Sequence, residues 1–204
     1  MYVEILRDVI RRNIEFVVSK GLLDDEKLWN YDKSDVHSIL LYCLIRIEDL
    51  GVVPLPEYKI RFRVPIDKVN IDKRFEGKKG RRIWFTRVDV AYLKNSNVIG
   101  VGEVFTPDEI HGILHSTELS GPWISPRHRI EHLVEQLKIS FIIIVNVVNR
   151  LPPWEDARRH SVEVWESKWK DFVKDICTRH DIQCLHMVMR SVKDVEYNLY
   201  AKPK

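Results

Sequence analysis

The spacing of apolar residues divides the first third of the chain into helical and extended segments. Apolar residues recur every three or four positions in residues 2–19, which predicts an amphipathic helix that ends at Gly21. The same spacing predicts a second helix over about residues 34–50, with Gly51 as its stop. Residues 58–64 alternate charged and apolar side chains, a pattern typical of a half-exposed strand. This part of the chain therefore predicts two helices followed by a strand.

The remaining residues predict further strands separated by helices. Two apolar strands over about residues 83–94 and 97–105 are joined by a tight polar turn. Pro126 fits the first turn of a helix, and the run 141–148, rich in Ile and Val, is typical of a buried strand. A long helix and two final strands follow, over about residues 162–176, 183–190 and 195–201. The order ααβββαβαββ predicts an α/β fold with a mixed central sheet flanked by helices.

Length and composition favour a single domain. The 204 residues are 45% hydrophobic and 31% charged, which is ordinary for a folded protein with a substantial core. We expect the core over about residues 34–148 and a C-terminal extension over about residues 152–204. The 33 basic and 30 acidic residues leave a net charge of only +3. A nucleic-acid partner would therefore need a basic face formed by clustering.

The sequence predicts a cytoplasmic protein with no membrane partner. Its N-terminus lacks the basic, apolar and small-residue order of a signal peptide, and the apolar run around residues 139–148 is too short to span a bilayer as a helix. Cys43, Cys177 and Cys184 show no metal-ligand spacing. We expect no disulfide framework, a reducing environment, and a core position for Cys43.

The hairpin over residues 87–106 is the most informative segment, because each of its strands carries a carboxylate. Asp89 lies within the first strand and Glu103 near the end of the second, so the two can lie side by side at one end of a sheet. Converging carboxylates are costly in an apolar setting unless a cation or hydrogen bonds balance them, and Mg²⁺ is a suitable cation. In the alternative interpretation, both carboxylates are solvated or paired with Arg87.

With this order of elements, the chain resembles the PD-(D/E)XK nucleases, a superfamily that includes restriction endonucleases and archaeal Holliday-junction resolvases. The run αβββαβ from about residue 34 to residue 148 is similar to the core of that family. Arg87-Val-Asp89 corresponds to its first motif, and Glu103-Val-Phe105 corresponds to its second. The resemblance implies a restriction-endonuclease-like fold and hydrolysis of DNA phosphodiester bonds.

The resemblance also implies a metal site and a partner. Asp89 and Glu103, helped by the backbone carbonyl of Val104, would hold Mg²⁺ or Mn²⁺, which activates water and neutralises charge on the phosphate. An acidic residue of the preceding helix often supports the site in this family, and Asp35 is the nearest match, with Glu48 a weaker one. Many relatives are dimers, so the resemblance leaves a homodimer open, and the sequence does not fix the oligomeric state.

The chain departs from the family pattern at two positions. Phe105 stands where the family has a lysine, and Val88 replaces a proline. A phenyl ring can neither orient a nucleophilic water nor stabilise negative charge. Candidates for a displaced cation are Lys138 and Arg129, followed by Arg127 and Lys94. Without such a cation, the chain would be an inactive nuclease-fold protein that binds nucleic acid or a protein partner.

A second candidate site uses zinc. His128-Arg-Ile-Glu131-His132 matches the H-x-x-E-H pattern of a group of zinc peptidases. On a helix, His128 and His132 share one face and could hold Zn²⁺, with Glu131 as base and a distant carboxylate such as Glu196 as the third ligand. In the alternative interpretation, this is a polar helix that faces substrate or solvent.

Basic residues cluster in two places that could contact a phosphate backbone. One lies between residues 66 and 82 and includes Lys68, Lys73, Arg74, Lys78, Lys79, Arg81 and Arg82. The other comprises Arg127, His128 and Arg129 near a predicted helix N-terminus. With Arg87, these residues are the predicted nucleic-acid contacts. The alternative for the first cluster is a solvated extension whose charges are partly matched by neighbouring acidic residues.

Overall fold

A mixed sheet with helices on both faces makes up the part of the chain that the structure describes. A computed structural model describes residues 2–30, 35–47, 50–64, 82–106, 126–149 and 161–201, and for residues 61–64, 82–86, 126–129 and 132 it describes the backbone only. Within these ranges six strands form one sheet between two hydrophobic clusters. The predicted α/β class with a mixed central sheet is confirmed. Across the same ranges, every helix is too short or too polar to cross a membrane.

The strands lie in the sheet in the order in which they occur along the chain. The antiparallel part comprises β1 (Val53–Val64), β2 (Arg82–Lys94) and β3 (Asn97–Phe105). The sheet continues in parallel with β4 (Phe141–Val147) and β5 (Gln183–Met189), and then antiparallel with β6 (Val195–Tyr200). The C-terminal strands thus extend the same sheet.

The helices of the described ranges divide between the two faces of this sheet. One face packs against α1 (Tyr2–Ser19), α2 (Asp25–Trp29) and α3 (Asp35–Ile45). The other packs against α4 (Pro126–Leu137) and α5 (Val162–His180). We call these the α1–α3 face and the α4–α5 face. Every residue of β4 is buried, as expected for a strand covered on both sides.

Helix α3 ends at Ile45, so the predicted extension to Leu50 is wrong. The Asn13 side chain of α1 donates hydrogen bonds to the backbone carbonyls of Cys43 at 3.0 Å and Arg46 at 2.8 Å. These bonds satisfy carbonyls that the end of a helix leaves without intrahelical partners. Helix α3 therefore ends through a tertiary contact with α1, which apolar spacing does not encode.

Two further elements differ from the predicted ones. β1 begins at Val53 and includes two prolines, Pro54 and Pro56, which are tolerated because β1 is an edge strand. The short helix α2 was not predicted. Asp24 caps it by accepting a hydrogen bond from the backbone N–H of Lys27 at 2.8 Å.

The cysteines also correct a prediction. Cys177 in α5 and Cys184 in β5 form a disulfide, with their Cα atoms 6.1 Å apart. The expected lack of a disulfide is therefore wrong. The turn between α5 and β5 returns the chain along the helix, which brings the two thiols together. Cys43 is buried as expected, and its burial raises the pKa of its thiol to about 12.

Candidate metal centre

Strands β2 and β3 separate at Asp89, and its carboxylate bridges them. Their regular pairing stops at Val90 and Gly102. Beyond this point the backbone N–H of Val104 donates a hydrogen bond to Asp89 Oδ2 at 2.7 Å. Strand β2 also changes face here, because Val88 packs on the α4–α5 face and Val90 on the α1–α3 face, although alternate residues of a regular strand share a face. The irregularity fixes the Asp89 side chain at the edge of the core.

Glu57 lies opposite Asp89 on β1 in an unusual backbone conformation. The β1–β2 register pairs Pro56 with Val90 and continues unshifted, which places Glu57 across from Asp89. Glu57 has a φ angle of 49°, in the left-handed region that residues other than glycine rarely adopt. Such a conformation costs on the order of 1–3 kcal/mol, so it persists only where the surrounding structure imposes it, as functional sites do. The positive φ angle of Glu57, opposite Asp89, motivates the hypothesis that its carboxylate takes part in metal binding.

His37, near the start of α3, completes a group of three metal-ligating side chains. Its Nε2 lies 3.5 Å from Asp89 Oδ1. One ligand atom each from His37, Glu57 and Asp89 lies within 4.8 Å of the other two. The side chains of His37 and Asp89 are only 22% and 16% exposed, whereas that of Glu57 is 51% exposed. The group is therefore open on the β1 side and enclosed on the α3 side.

The donor set and spacing suit a divalent metal ion. Ligands about 2.1 Å from a common ion lie about 3 Å apart when adjacent and about 4.2 Å apart when opposite. The 3.5 Å between His37 and Asp89 falls within this range, and the 4.8 Å within which all three ligand atoms lie exceeds its upper end by about 0.6 Å. Small side-chain rotations would bring all three donors to one ion. His37, Glu57 and Asp89 could thus hold a metal ion, with its remaining positions left for water or substrate.

Two cations flank the group two residues further along the β1–β2 ladder. Lys59 and Arg87 are directly opposite one another. Tyr58, Ile60 and Val88 pack on the α4–α5 face, so alternation places Lys59 and Arg87 on the opposite face, where α3 lies. Arg87 is exposed, and its Nη1 lies 4.0 Å from Glu57 Oε2. The acidic group therefore has positive charge beside it.

Glu103 and Phe105 lie on the other face of the sheet. Val101 and Phe105 both pack on the α4–α5 face, so strand alternation places the fully buried Glu103 there as well. The Phe105 ring centroid is 4.9 Å from that of Trp169 in α5. The three-residue group contains Asp89 but not Glu103. That Asp89 and Glu103 share one metal, with the Val104 carbonyl, stays a prediction.

Two of the predicted displaced cations, Lys138 and Lys94, lie at the end of β3 that is far from Asp89. Lys138 is exposed at the end of α4, just before Ser140, whose N–H donates to the Ile99 carbonyl at 2.7 Å. Ile99 is five residues from Val104, or about 16 Å along β3. Lys94, in the β2–β3 turn at that same far end, donates to the Tyr2 hydroxyl at 2.9 Å.

The other predicted cations and the two histidines of the zinc hypothesis lie in α4. The side chains of Arg127, His128, Arg129 and His132 are outside the described residues. Glu131 is described and forms an ion pair with Arg179 at 3.3 Å. The zinc hypothesis at His128 and His132 therefore stays a prediction.

The remaining predicted residues have mixed outcomes. Asp35 is exposed at the start of α3, beside a cleft of about 370 Å³ that it shares with Asp24, Glu26 and Lys27. Glu196, named as a third zinc ligand, is bound by Lys170 at 2.8 Å and Arg190 at 2.8 Å, which lower the pKa of its carboxyl to about 2. The residues outside the described part, or described by backbone alone, are Glu48, Lys68, Lys73, Arg74, Lys78, Lys79, Arg81 and Arg82.

Sequence reasoning did not identify His37, Glu57 or Lys59. The hairpin signal drew attention to β2 and β3, whereas the group forms between β1, β2 and the start of α3. A signal was present at Glu57-Tyr-Lys59, where a carboxylate and a cation alternate within a strand pattern. Its significance depends on the β1–β2 register, which brings Glu57 opposite Asp89.

Comparisons with known proteins add no relative. No protein-family model matches the chain, and neither a curated protein nor a solved structure matches it.

Proposed function

We propose that the protein is a divalent-metal-dependent phosphodiesterase of the nuclease type, acting on DNA. The observation that carries the proposal is the group formed by His37, Glu57 and Asp89 at the point where the sheet opens. The order of helices and strands also supports it, because α3, β1–β3, α4 and β4 follow the αβββαβ sequence of the restriction-endonuclease-like core.

Each residue of the group has a distinct role in this proposal. When bound, a metal ion supplies an activated water and neutralises charge on the scissile phosphate. Asp89 is a preorganised ligand, because the Val104 N–H holds Oδ2 while Oδ1 lies towards His37. Glu57 contributes a second carboxylate from the exposed side, and His37 contributes Nε2.

Lys59 and Arg87 replace the cation that the Phe105 position lacks. Both lie on the face where α3 packs, two residues along the ladder from Glu57 and Asp89. Two like charges directly opposite one another on a ladder are unfavourable alone and become favourable around an anion. We assign them to the phosphate of the substrate, where they stabilise negative charge that develops during hydrolysis.

The test is cleavage of single-stranded, duplex and branched DNA by the purified protein with Mn²⁺, Mg²⁺ or EDTA. We expect metal-dependent cutting that Asp89→Asn and Glu57→Gln each reduce by about 100-fold or more. Substitution of residues that only hydrogen-bond a metal ligand already lowers metal affinity or activity by about 10–100-fold. Asp171→Asn is the matched control, because Asp171 is an exposed carboxylate of α5 on the other face. Glu103→Gln tests the predicted Asp89–Glu103 pair: lost activity in a stable variant would support it.

The position of Phe105 supports a second candidate, an inactive nuclease-fold protein that binds nucleic acid. Phe105 is fully buried against Trp169, so the position of the family lysine is committed to the core. In this case no metal would produce cutting, while wild-type protein would still retard DNA in a gel. Lys59→Gln and Arg87→Gln would weaken that retardation and its dependence on salt. If the protein neither cuts DNA nor retards it, both candidates are ruled out.

A further inference from the structure

The donor chemistry of the group bears on which metal it selects. Mg²⁺ prefers oxygen ligands and keeps several waters, whereas transition ions accept imidazole nitrogen, Fe²⁺, Ni²⁺ and Zn²⁺ most strongly and Mn²⁺ more weakly. In this group, one of the three donors is the Nε2 of His37. A site built for Mg²⁺ would gain little from that donor.

The geometry makes His37 a component of the group. Its Nε2 is the atom 3.5 Å from Asp89 Oδ1, and the imidazole is about one-fifth exposed. His37 lies in the first turn of α3, and Val36 and Leu40 beside it are buried in the core of the α1–α3 face. The helix is thus anchored by apolar packing, and it holds the imidazole over Asp89.

We propose that His37 makes this a transition-metal site that discriminates against Mg²⁺. The inference rests on the proposed function only in sharing its site, because it concerns metal binding in the absence of substrate. Asp89 and Glu57 supply the charge that attracts any divalent cation, and His37 supplies the preference among cations. Removing His37 should therefore change the ratio of affinities more than the affinity for Mg²⁺.

The experiment is a titration of the full chain with MnCl₂, followed by the electron paramagnetic resonance signal of free Mn²⁺, and then displacement by MgCl₂. We expect wild type to bind Mn²⁺ at least about tenfold more tightly than Mg²⁺. His37→Asp replaces the nitrogen with oxygen and should lower this ratio severalfold. His37→Gln gives a second, uncharged replacement should the aspartate variant not fold, as judged by circular dichroism.

Two controls separate this site from others. His180→Gln, at the end of α5 and the opposite end of the sheet, should leave the ratio unchanged. Asp89→Asn should lower the affinity of the protein for both Mn²⁺ and Mg²⁺. A wild-type ratio near one, or an unaltered ratio in both folded His37 variants, would overturn the inference.

Cleavage data distinguish this inference from the proposed function. Mn²⁺ binding that depends on His37, in a protein that cuts no DNA, would refute the proposed function and leave the metal preference intact. Suppose instead that Mg²⁺ and Mn²⁺ support DNA cutting equally and that His37→Gln does not change this. The metal preference would then be refuted and the proposed function would stand.

Discussion

Acidification should destabilise the protein through His186, a fully buried histidine of β5. Its Nε2 donates to Asn146 Oδ1 at 2.6 Å, and its ring centroid lies 6.5 Å from that of Trp169. Burial is the main reason why the pKa of this imidazole falls to about 3, and the positive charge of Lys170 lowers it further while Glu196 opposes the shift. The folded state therefore holds His186 neutral.

The sign and size of the effect follow from proton linkage. In the unfolded chain the pKa returns to about 6.5, so above that pH both states are neutral and His186 has no effect. Between about pH 6.5 and pH 3 the unfolded chain binds a proton that the folded protein does not, so stability falls as the pH falls. At about 1.4 kcal/mol per pH unit, the loss between about pH 7.5 and pH 5 is about 2 kcal/mol.

Urea unfolding followed by tryptophan fluorescence at the two pH values measures this loss. Since other groups also titrate, the relevant quantity is the difference in pH dependence between wild type and His186→Gln. We expect the variant to lose about 2 kcal/mol less on acidification than wild type does. His180→Gln, which alters a partly exposed histidine of α5, should behave as wild type. Equal pH dependence in wild type and His186→Gln would refute the reasoning.

Two further substitutions test how β3 packs against its neighbours. Phe105→Lys should unfold the protein or lower its free energy of unfolding by more than about 4 kcal/mol, because it removes a buried ring and buries an ammonium group. Phe105→Leu, which keeps an apolar side chain, should lower it far less. Thermal melts by circular dichroism compare the two variants, and a stable lysine variant would show that this position does not require an apolar side chain. Gly100→Ala should cost about 1–3 kcal/mol, because its Cβ would lie 2.3 Å from the Phe141 ring, and an unchanged melting temperature would contradict that packing.

The local pattern of apolar and polar residues was sufficient to predict most of the helices and strands. The apolar stripe of α1, the hairpin of β2 and β3, and the continuous apolar run of β4 were all predicted close to their observed ends. The end of α3 was not, because Asn13 of another helix determines it. Elements whose boundaries depend on distant side chains leave no signal in a window of neighbouring residues.

In the candidate site, too, local pattern identified one residue, and distant contacts determined the others. Asp89 could be singled out because a carboxylate within an apolar strand needs a partner. Its partners could not, since Glu57 reaches it only through the β1–β2 register and His37 only through the docking of α3. The face that Glu103 occupies depends on strand alternation in β3, and the face of Asp89 depends on the irregularity between Val88 and Val90. A pattern of regular alternation cannot anticipate such an irregularity.

The most direct test of the central claim is anomalous diffraction at the manganese absorption edge from crystals soaked in MnCl₂. The account predicts a peak about 2.2 Å from His37 Nε2 and from one carboxylate oxygen each of Glu57 and Asp89. That peak should vanish in Asp89→Asn crystals grown and soaked identically. A peak at His128 and His132 instead, or no ordered manganese beside Asp89 in wild type, would contradict the account.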